Sequence, residues 1–341
     1  MSSLFRHITP VPPETATGRV AAVYDQVNAE FSSIGPAVMM MSPAPELLAP
    51  GWALLRESLL AGSAPRRAKE AVAVSVSQVN RCDYDVAGHL VFLELSGGGD
   101  VARALRHGDD PADEDVAAVV RWARATGAPG SPESPVLAGP PVPEALAPEY
   151  IGTALALHFV NRMVLILLSE RLLPGGMRES DTARPFDGAP IARAVERRSS
   201  GDGLLLLEDG EAGPAPAWAG ESPVGPAYAA LRDSAAKGGL LLSEDARTAV
   251  RDTVGRHLGE YLPTDDGWPA TSLGTLAPGD RAGATLAILA ALAPDQITED
   301  DVASWRSGRY SDHCLLHLLA FGAMLTVERI GTSIGRAPGV S

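Results

Sequence analysis

Between Pro65 and Gly97 the sequence spells two helices with one short break, and its most reactive side chains lie on both sides of that break. Pro65 suits a first helical turn, where its fixed φ and missing N–H do no harm, and that helix runs through Asn80. Arg81 stands at the break, and Cys82 or Asp83 opens the next helix, which runs to Gly97. Cys82, Asp85 and His89 follow at spacings of 3 and 4, so they stack along one face of that second helix. Glu70 lies 12 residues before Cys82 on the apolar segment Ala68 to Val79. If the two helices pack as a hairpin, Glu70 comes back over the stripe. A thiol, two carboxylates and an imidazole on one surface can carry out acid–base or nucleophilic chemistry. No other stretch of the sequence brings such groups together.

The rest of the chain supports an all-α reading. Ala, Leu, Glu and Arg dominate the periodic stretches, and β-branched clusters are few. Thr17 can cap Gly18 to Phe31, and Pro45 to Leu60 carries Leu47, Leu48, Trp52, Leu55 and Leu59 at helical spacing. Asp113 to Thr126 is another helix, Gly127 to Pro148 a Pro/Gly/Ser-rich loop, and Glu149 to Leu173 a long apolar helix. Residues 174–221 read as a linker with a short helix near Ile191 to Arg198 and an apolar run, Leu204 to Leu207. Beyond them the pattern recurs. Trp52 to Ser58 is echoed by Tyr228 to Ser234, Lys69 to Val72 by Arg247 to Val250, and the long helix by one beginning at Asp312, with Glu170-Arg171 echoed by Glu328-Arg329. This echo predicts a tandem duplication: one helical unit in residues 1–173 and a degenerate second in 222–341. With Lys69 set on Arg247, Glu70 falls on Thr248, Cys82 on Glu260 and His89 on Gly267, so only the first unit keeps the chemistry.

Composition narrows the class of function. At 45% hydrophobic and 21% charged residues, the 341-residue chain is globular, and its net charge of −14 argues against a nucleic-acid binder. Residues Met1 to Pro13 lack the apolar core of a signal peptide, and His158, Asn161 and Arg162 interrupt the run Ile151 to Leu168, which reads as a buried helix and not a membrane span. Two distant cysteines make no disulfide framework, so a reducing cytoplasm is the expected compartment.

The stretch from Lys69 to His89 resembles the core of the alkylhydroperoxidase D (AhpD-like) and carboxymuconolactone decarboxylase superfamily. The motif there is a Glu, eleven residues, then Cys-x-x-Cys-x-x-x-His, and Glu70, Cys82 and His89 match it in identity and spacing. The second cysteine, which in that family attacks peroxide, is replaced by Asp85. The resemblance covers about residues 18 to 173 and fades beyond residue 222. It implies two AhpD-like helical units packed as a pseudo-dimer, self-association, and a pocket without metal or other cofactor. It also implies that the helix carrying His158 packs over the site.

Asp85 redirects the expected chemistry. A Cys-x-x-Cys pair reduces peroxide because one thiolate attacks and its neighbour resolves the sulfenic acid. Cys82 lacks such a neighbour, and Cys314 is the only other cysteine. Asp85 beside Glu70 in an apolar pocket makes ionising both costly, so one is expected to hold a proton, with His89 placed to exchange it. Retaining both carboxylates would cost folding energy, so Asp85→Asn and Glu70→Gln are expected to be at least as stable as the parent. The leading expectation is a small-molecule enzyme using Glu70, Asp85, His89 and Cys82 for proton transfer, decarboxylation or elimination. Tyr84, Arg81 and His158 are candidates to hold the substrate. Two alternatives remain: a peroxidase or thiol oxidoreductase working through Cys82, and a binding or scaffold protein. Two carboxylates and a histidine could also hold a metal ion, although the family pattern carries none. His313, Cys314 and His317 suggest a metal pair at i, i+4, but with Asp312 the only carboxylate nearby in sequence, packing is the favoured explanation. Gly97 to Gly99 reads as a helix stop and Met39 to Met41 as adaptable core.

Overall fold

A computed structural model describes residues 4–31, 34–128, 138–169, 195–208, 210, 212–257 and 273–334. Among these the chain is all-α, and its only β pairings are two isolated bridges, Phe5 with Leu168 and Ala61 with Arg198. The helices are α1 (Gly18–Phe31), α2 (Pro36–Met39), α3 (Pro45–Leu55), α4 (Arg66–Val79), α5 (Asp83–Leu95), α6 (Gly99–Arg106), α7 (Glu114–Ala125) and α8 (Ala147–Leu167). The later part adds α9 (Val224–Ala236), α10 (Glu244–Arg256), α11 (Pro278–Leu292), α12 (Glu299–Arg306) and α13 (Asp312–Ile334).

Helices α4 and α5 pack as the hairpin that the sequence pattern requires. The turn between them is a Schellman motif. The Arg81 N–H donates to the Gln78 carbonyl at 3.1 Å, and the Cys82 N–H reaches the Ser77 carbonyl at 2.9 Å. Arg81 occupies the left-handed position of that motif with φ +57°, where glycine is the usual resident. Around the hairpin, α6 and α7 close a small apolar cluster from Val74, Leu90, Leu93, Val101, Leu105 and Val120.

Helix α8 lies across α4 on the other side and joins the large core. Buried Lys69 of α4 donates to Glu149 Oε2 of α8 at 2.7 Å, and Glu149 also accepts the N–H groups of Ser63 and Ala64. The later helices share the same core: α3 packs on α9, and α8 packs on α13. Helix α13 comes so close to α11 that a Cβ on Gly322 would lie 2.1 Å from the Ala287 carbonyl oxygen, so only glycine permits that approach. Both α8, within the run Glu144–Leu167, and α13 are long and apolar enough to cross a membrane. Their apolar windows, however, are 89% and 78% buried inside the protein, which makes them core helices.

Several elements differ from the expectations. The helix expected over Pro45 to Leu60 changes to π geometry over Arg56–Leu60. There Arg56, 2% exposed, donates to Glu30 and Glu57 at 2.7 Å each and to Asp202 at 3.1 Å. That winding lets a buried cation be satisfied by its neighbour Glu57 and by two distant segments, which no local pattern encodes. The long helix ends at Leu167 because the next residues pair with the N-terminal segment: Ser169 N–H donates to the Leu4 carbonyl at 3.1 Å. Glu170 to Leu173, Ile191 to Ala194, Glu260 and Gly267 lie outside the described residues.

Candidate active site

Glu70 is the pivot of the site. Fully buried on α4, it accepts from Arg66 Nε through Oε1 at 2.7 Å and from His89 Nδ1 through Oε2 at 2.7 Å. Burial opposes its charge, but the Arg66 and His89 cations outweigh burial and hold its carboxyl below the ordinary range. Burial likewise opposes the His89 cation. The Glu70 charge and hydrogen bond, with Asp85 adding to them, prevail and raise the imidazole above its usual value. With Nδ1 committed to Glu70, Nε2 is the ring nitrogen left to meet a ligand.

Asp85, one turn before His89 on α5, behaves in the opposite way. Its Oδ2 accepts from Asn161 Nδ2 at 2.6 Å and from the Cys82 thiol at 3.3 Å. Burial outweighs those bonds and the His89 charge and pushes its carboxyl up. Of the two carboxylates, Asp85 is therefore the one that retains a proton more readily, and Glu70 the one held ionised. Cys82 caps the start of α5, yet its thiol is buried at 0% exposure. Burial first, and then the Asp85 charge, lift its pKa well above the ordinary thiol value. That environment disfavours the thiolate a nucleophile needs.

Asp85 and His89 line a cavity of about 190 Å³, together with Arg66 and Tyr84. The remaining wall is mostly apolar, with Val27, Phe31, Trp52, Leu59, Phe92 and Leu157 among its residues. Glu70 and Cys82 stand behind this wall, in contact with His89 and Asp85 respectively. Tyr84 lines the cavity with its hydroxyl pKa raised by burial and by Asp85. Arg81 is exposed at the turn and is not part of the cavity lining.

His158 is also absent from the lining. Thr126 donates its hydroxyl to the Ala123 carbonyl at 2.6 Å, so it must accept from His158 Nε2 at 2.8 Å. Nδ1 then accepts from Asn80 Nδ2 at 3.1 Å. Burial, and then the Arg162 charge, push His158 well below its usual pKa, so it is a neutral imidazole with both nitrogens bonded inside the core. The polar residue of α8 that bonds to the site is Asn161, which accepts from Asn80 at 2.8 Å and donates to Asp85.

Arg66 escaped the sequence reading, although its i, i+4 spacing to Glu70 was the available signal. Its Nη2 lies 2.6 Å from Glu70 Oε1, while Nη1 is buried without a hydrogen-bond partner. Cys82 and Cys314 are both free thiols; the sulfur of Cys314 meets Ser311 at 3.6 Å. Glu70, Asp85 and His89 are not close enough together to share one metal ion, and both Glu70 oxygens are already bonded.

No protein-family model matches the chain. A curated protein of Mycobacterium tuberculosis named alkyl hydroperoxide reductase is 40% identical over 337 residues, covering 97% of this chain and 95% of the relative. At that identity over nearly the whole of both proteins, the chain belongs to the AhpD-like family of that alkyl hydroperoxide reductase.

Proposed function

We propose that this protein is a small-molecule enzyme whose altered motif, Cys82-x-x-Asp85 with Glu70 and His89, performs cofactor-free proton transfer on a mainly apolar acid or carbonyl compound. The observation that carries this reading is the pairing of Asp85 and His89 at the polar end of an otherwise apolar cavity. Arg66 would hold the substrate's carboxylate or carbonyl through Nη1. Ionised Asp85, with its raised pKa, is a stronger base than a solvated carboxylate. Its unshared oxygen takes a proton from carbon, and the electron pair moves into an enolate. His89 Nε2–H then stabilises the enolate oxygen while Glu70 stabilises the imidazolium. Returning the proton at another carbon gives isomerisation. With a β-oxo acid the reaction starts instead from protonated Asp85: the substrate carboxylate leaves as carbon dioxide, its C–C electron pair forms the enolate, and Asp85 gives its proton to the enolate carbon.

A second reading is favoured by the relative's being named an alkyl hydroperoxide reductase. Cys82 Sγ would attack a hydroperoxide, the O–O bond would break to release an alcohol, and an external thiol would reduce the resulting sulfenic acid. The buried, high-pKa thiol weighs against it.

The test is incubation with a panel of medium-chain β-oxo acids and unsaturated acids in D₂O. Deuterium incorporation or carbon dioxide release that disappears in Asp85→Asn supports proton transfer. No exchange with any member, alongside Cys82-dependent hydroperoxide turnover, would establish the second reading instead.

A further inference from the structure

Away from the cavity, three ligand-bearing side chains from opposite ends of the sequence meet at one point. Glu46 lies in the first turn of α3, and His313 and His317 are one turn apart on α13. Both imidazoles direct Nε2 at the same oxygen, Glu46 Oε1: His317 at 2.8 Å, and His313 in direct contact. Their ring centroids are 4.7 Å apart at an interplanar angle of 50°, and the three ligand atoms lie within 4.8 Å of one another. Sequence alone offered only Asp312 as a nearby carboxylate. That residue is engaged elsewhere, accepting from the Thr9 N–H at 2.7 Å and pairing with Arg306 at 2.8 Å.

As an ion pair the cluster is poorly balanced. Two imidazolium rings this close would repel each other, and a single carboxylate oxygen serves both. As a ligand set it is coherent: two neutral imidazole nitrogens and one carboxylate oxygen converge from two rigid helices. Histidines one turn apart on a helix, completed by a carboxylate from another element, suit a borderline divalent cation. The His317 side chain is 7% exposed, Glu46 28% and His313 48%, so one side of the group faces solvent and can admit an ion and its water. The backbone beneath is fixed. A Cβ on Gly238 would lie 1.8 Å from the His317 carbonyl oxygen, so the segment Lys237–Leu241 sits directly against α13 at that residue.

We propose that Glu46, His313 and His317 bind one divalent transition-metal ion, with zinc the best fit to two imidazoles and a carboxylate, and that the ion clasps α3 to α13. Neither the relative's name nor the family motif assigns such a site.

The experiment uses the full chain, stripped with a chelator, dialysed and titrated with zinc chloride by calorimetry and in thermal melts. The expected result is one zinc ion per chain and a melting temperature raised by several degrees once zinc exceeds its Kd about 100-fold. His313→Ala and Glu46→Gln should each weaken binding by at least about tenfold, as loss of one of three ligands demands. His313 is half exposed, so its variant should fold, and an unchanged zinc-free melt verifies this. No stoichiometric uptake by the parent protein, or equal uptake by both variants, overturns the proposal.

Discussion

At the residue scale, the two buried carboxylates have opposite roles. Asp85 is held in a pocket that opposes its charge, whereas Glu70 neutralises two buried cations. Asp85→Asn should therefore melt at or above the parent temperature at pH 7, since asparagine can still accept from Asn161. Glu70→Gln strands Arg66 and His89 and should cost about 3 kcal/mol in thermal or urea unfolding. The geometry thus replaces the expectation that both variants are at least as stable as the parent, which assumed two carboxylates competing for one environment, with different outcomes for the two. The pH dependence follows from the same shifts. The raised pKa of His89 stabilises the fold fully below its ordinary 6.5, and the effect fades as pH rises through the raised value. The lowered pKa of Glu70 stabilises above its ordinary 4.5, and the effect fades as pH falls through the lowered value. The Glu70–His89 pair thus contributes most between those two ordinary values. In Glu70→Gln, the falls in stability on either side of that window, as pH drops below 4.5 and as it rises above 6.5, should shrink relative to the parent; an unchanged profile would detach the pair from folding. The motif spacing made Glu70, Cys82, Asp85 and His89 legible in sequence as neighbours. Arg66 was overlooked despite standing four residues before Glu70 on the same helix, and Asn161 was not legible as a site residue because its role depends on where α8 crosses the hairpin.

At the element scale, helices with a clear apolar period were readable, and the exceptions were set by distant partners. The break between α4 and α5 was correctly placed at Arg81, but the reason emerges only from the backbone: a Schellman turn with a non-glycine at its left-handed position. Because Arg81 lies outside the cavity lining, Arg81→Gly should stabilise the protein by about 1 kcal/mol through relief of that strain, with the cavity unaltered. Equilibrium unfolding measures this, and a loss of stability would mean that the arginine side chain contributes more than the strain costs. The π segment at Arg56–Leu60 and the short α6 were invisible locally. The first depends on Glu30 and Asp202, and the second is an eight-residue helix that follows the glycines read as a stop.

At the scale of the whole molecule, the early and late helices share one apolar core, with Leu47, Trp52, Leu155 and Phe159 in the same cluster as Tyr228, Leu231, Leu319 and Val327. We propose that the later part is a second, degenerate copy of the first unit. Of the three helix pairs that the sequence echo matches, α3 with α9 and α8 with α13 pack on each other, whereas α4 and α10 do not. Shared burial on this scale predicts a single cooperative unfolding transition reported alike by calorimetry and circular dichroism. Two separated transitions would mean that the units are stable independently. The contact of Glu46 with α13 belongs to this level too. It spans almost the whole sequence, which is why His313 and His317 read as packing until the fold brought a carboxylate to them.

On the proposed reading, Asp85 in place of the family's second cysteine makes this a site for proton chemistry and not for thiol redox chemistry. The most direct test is steady-state consumption of an alkyl hydroperoxide with a dithiol reductant, comparing the parent with Asp85→Cys. The expected result is little turnover by the parent and at least a tenfold gain in the variant, where a second thiol can attack and be resolved by Cys82. Vigorous parent turnover that is abolished in Cys82→Ser would contradict it.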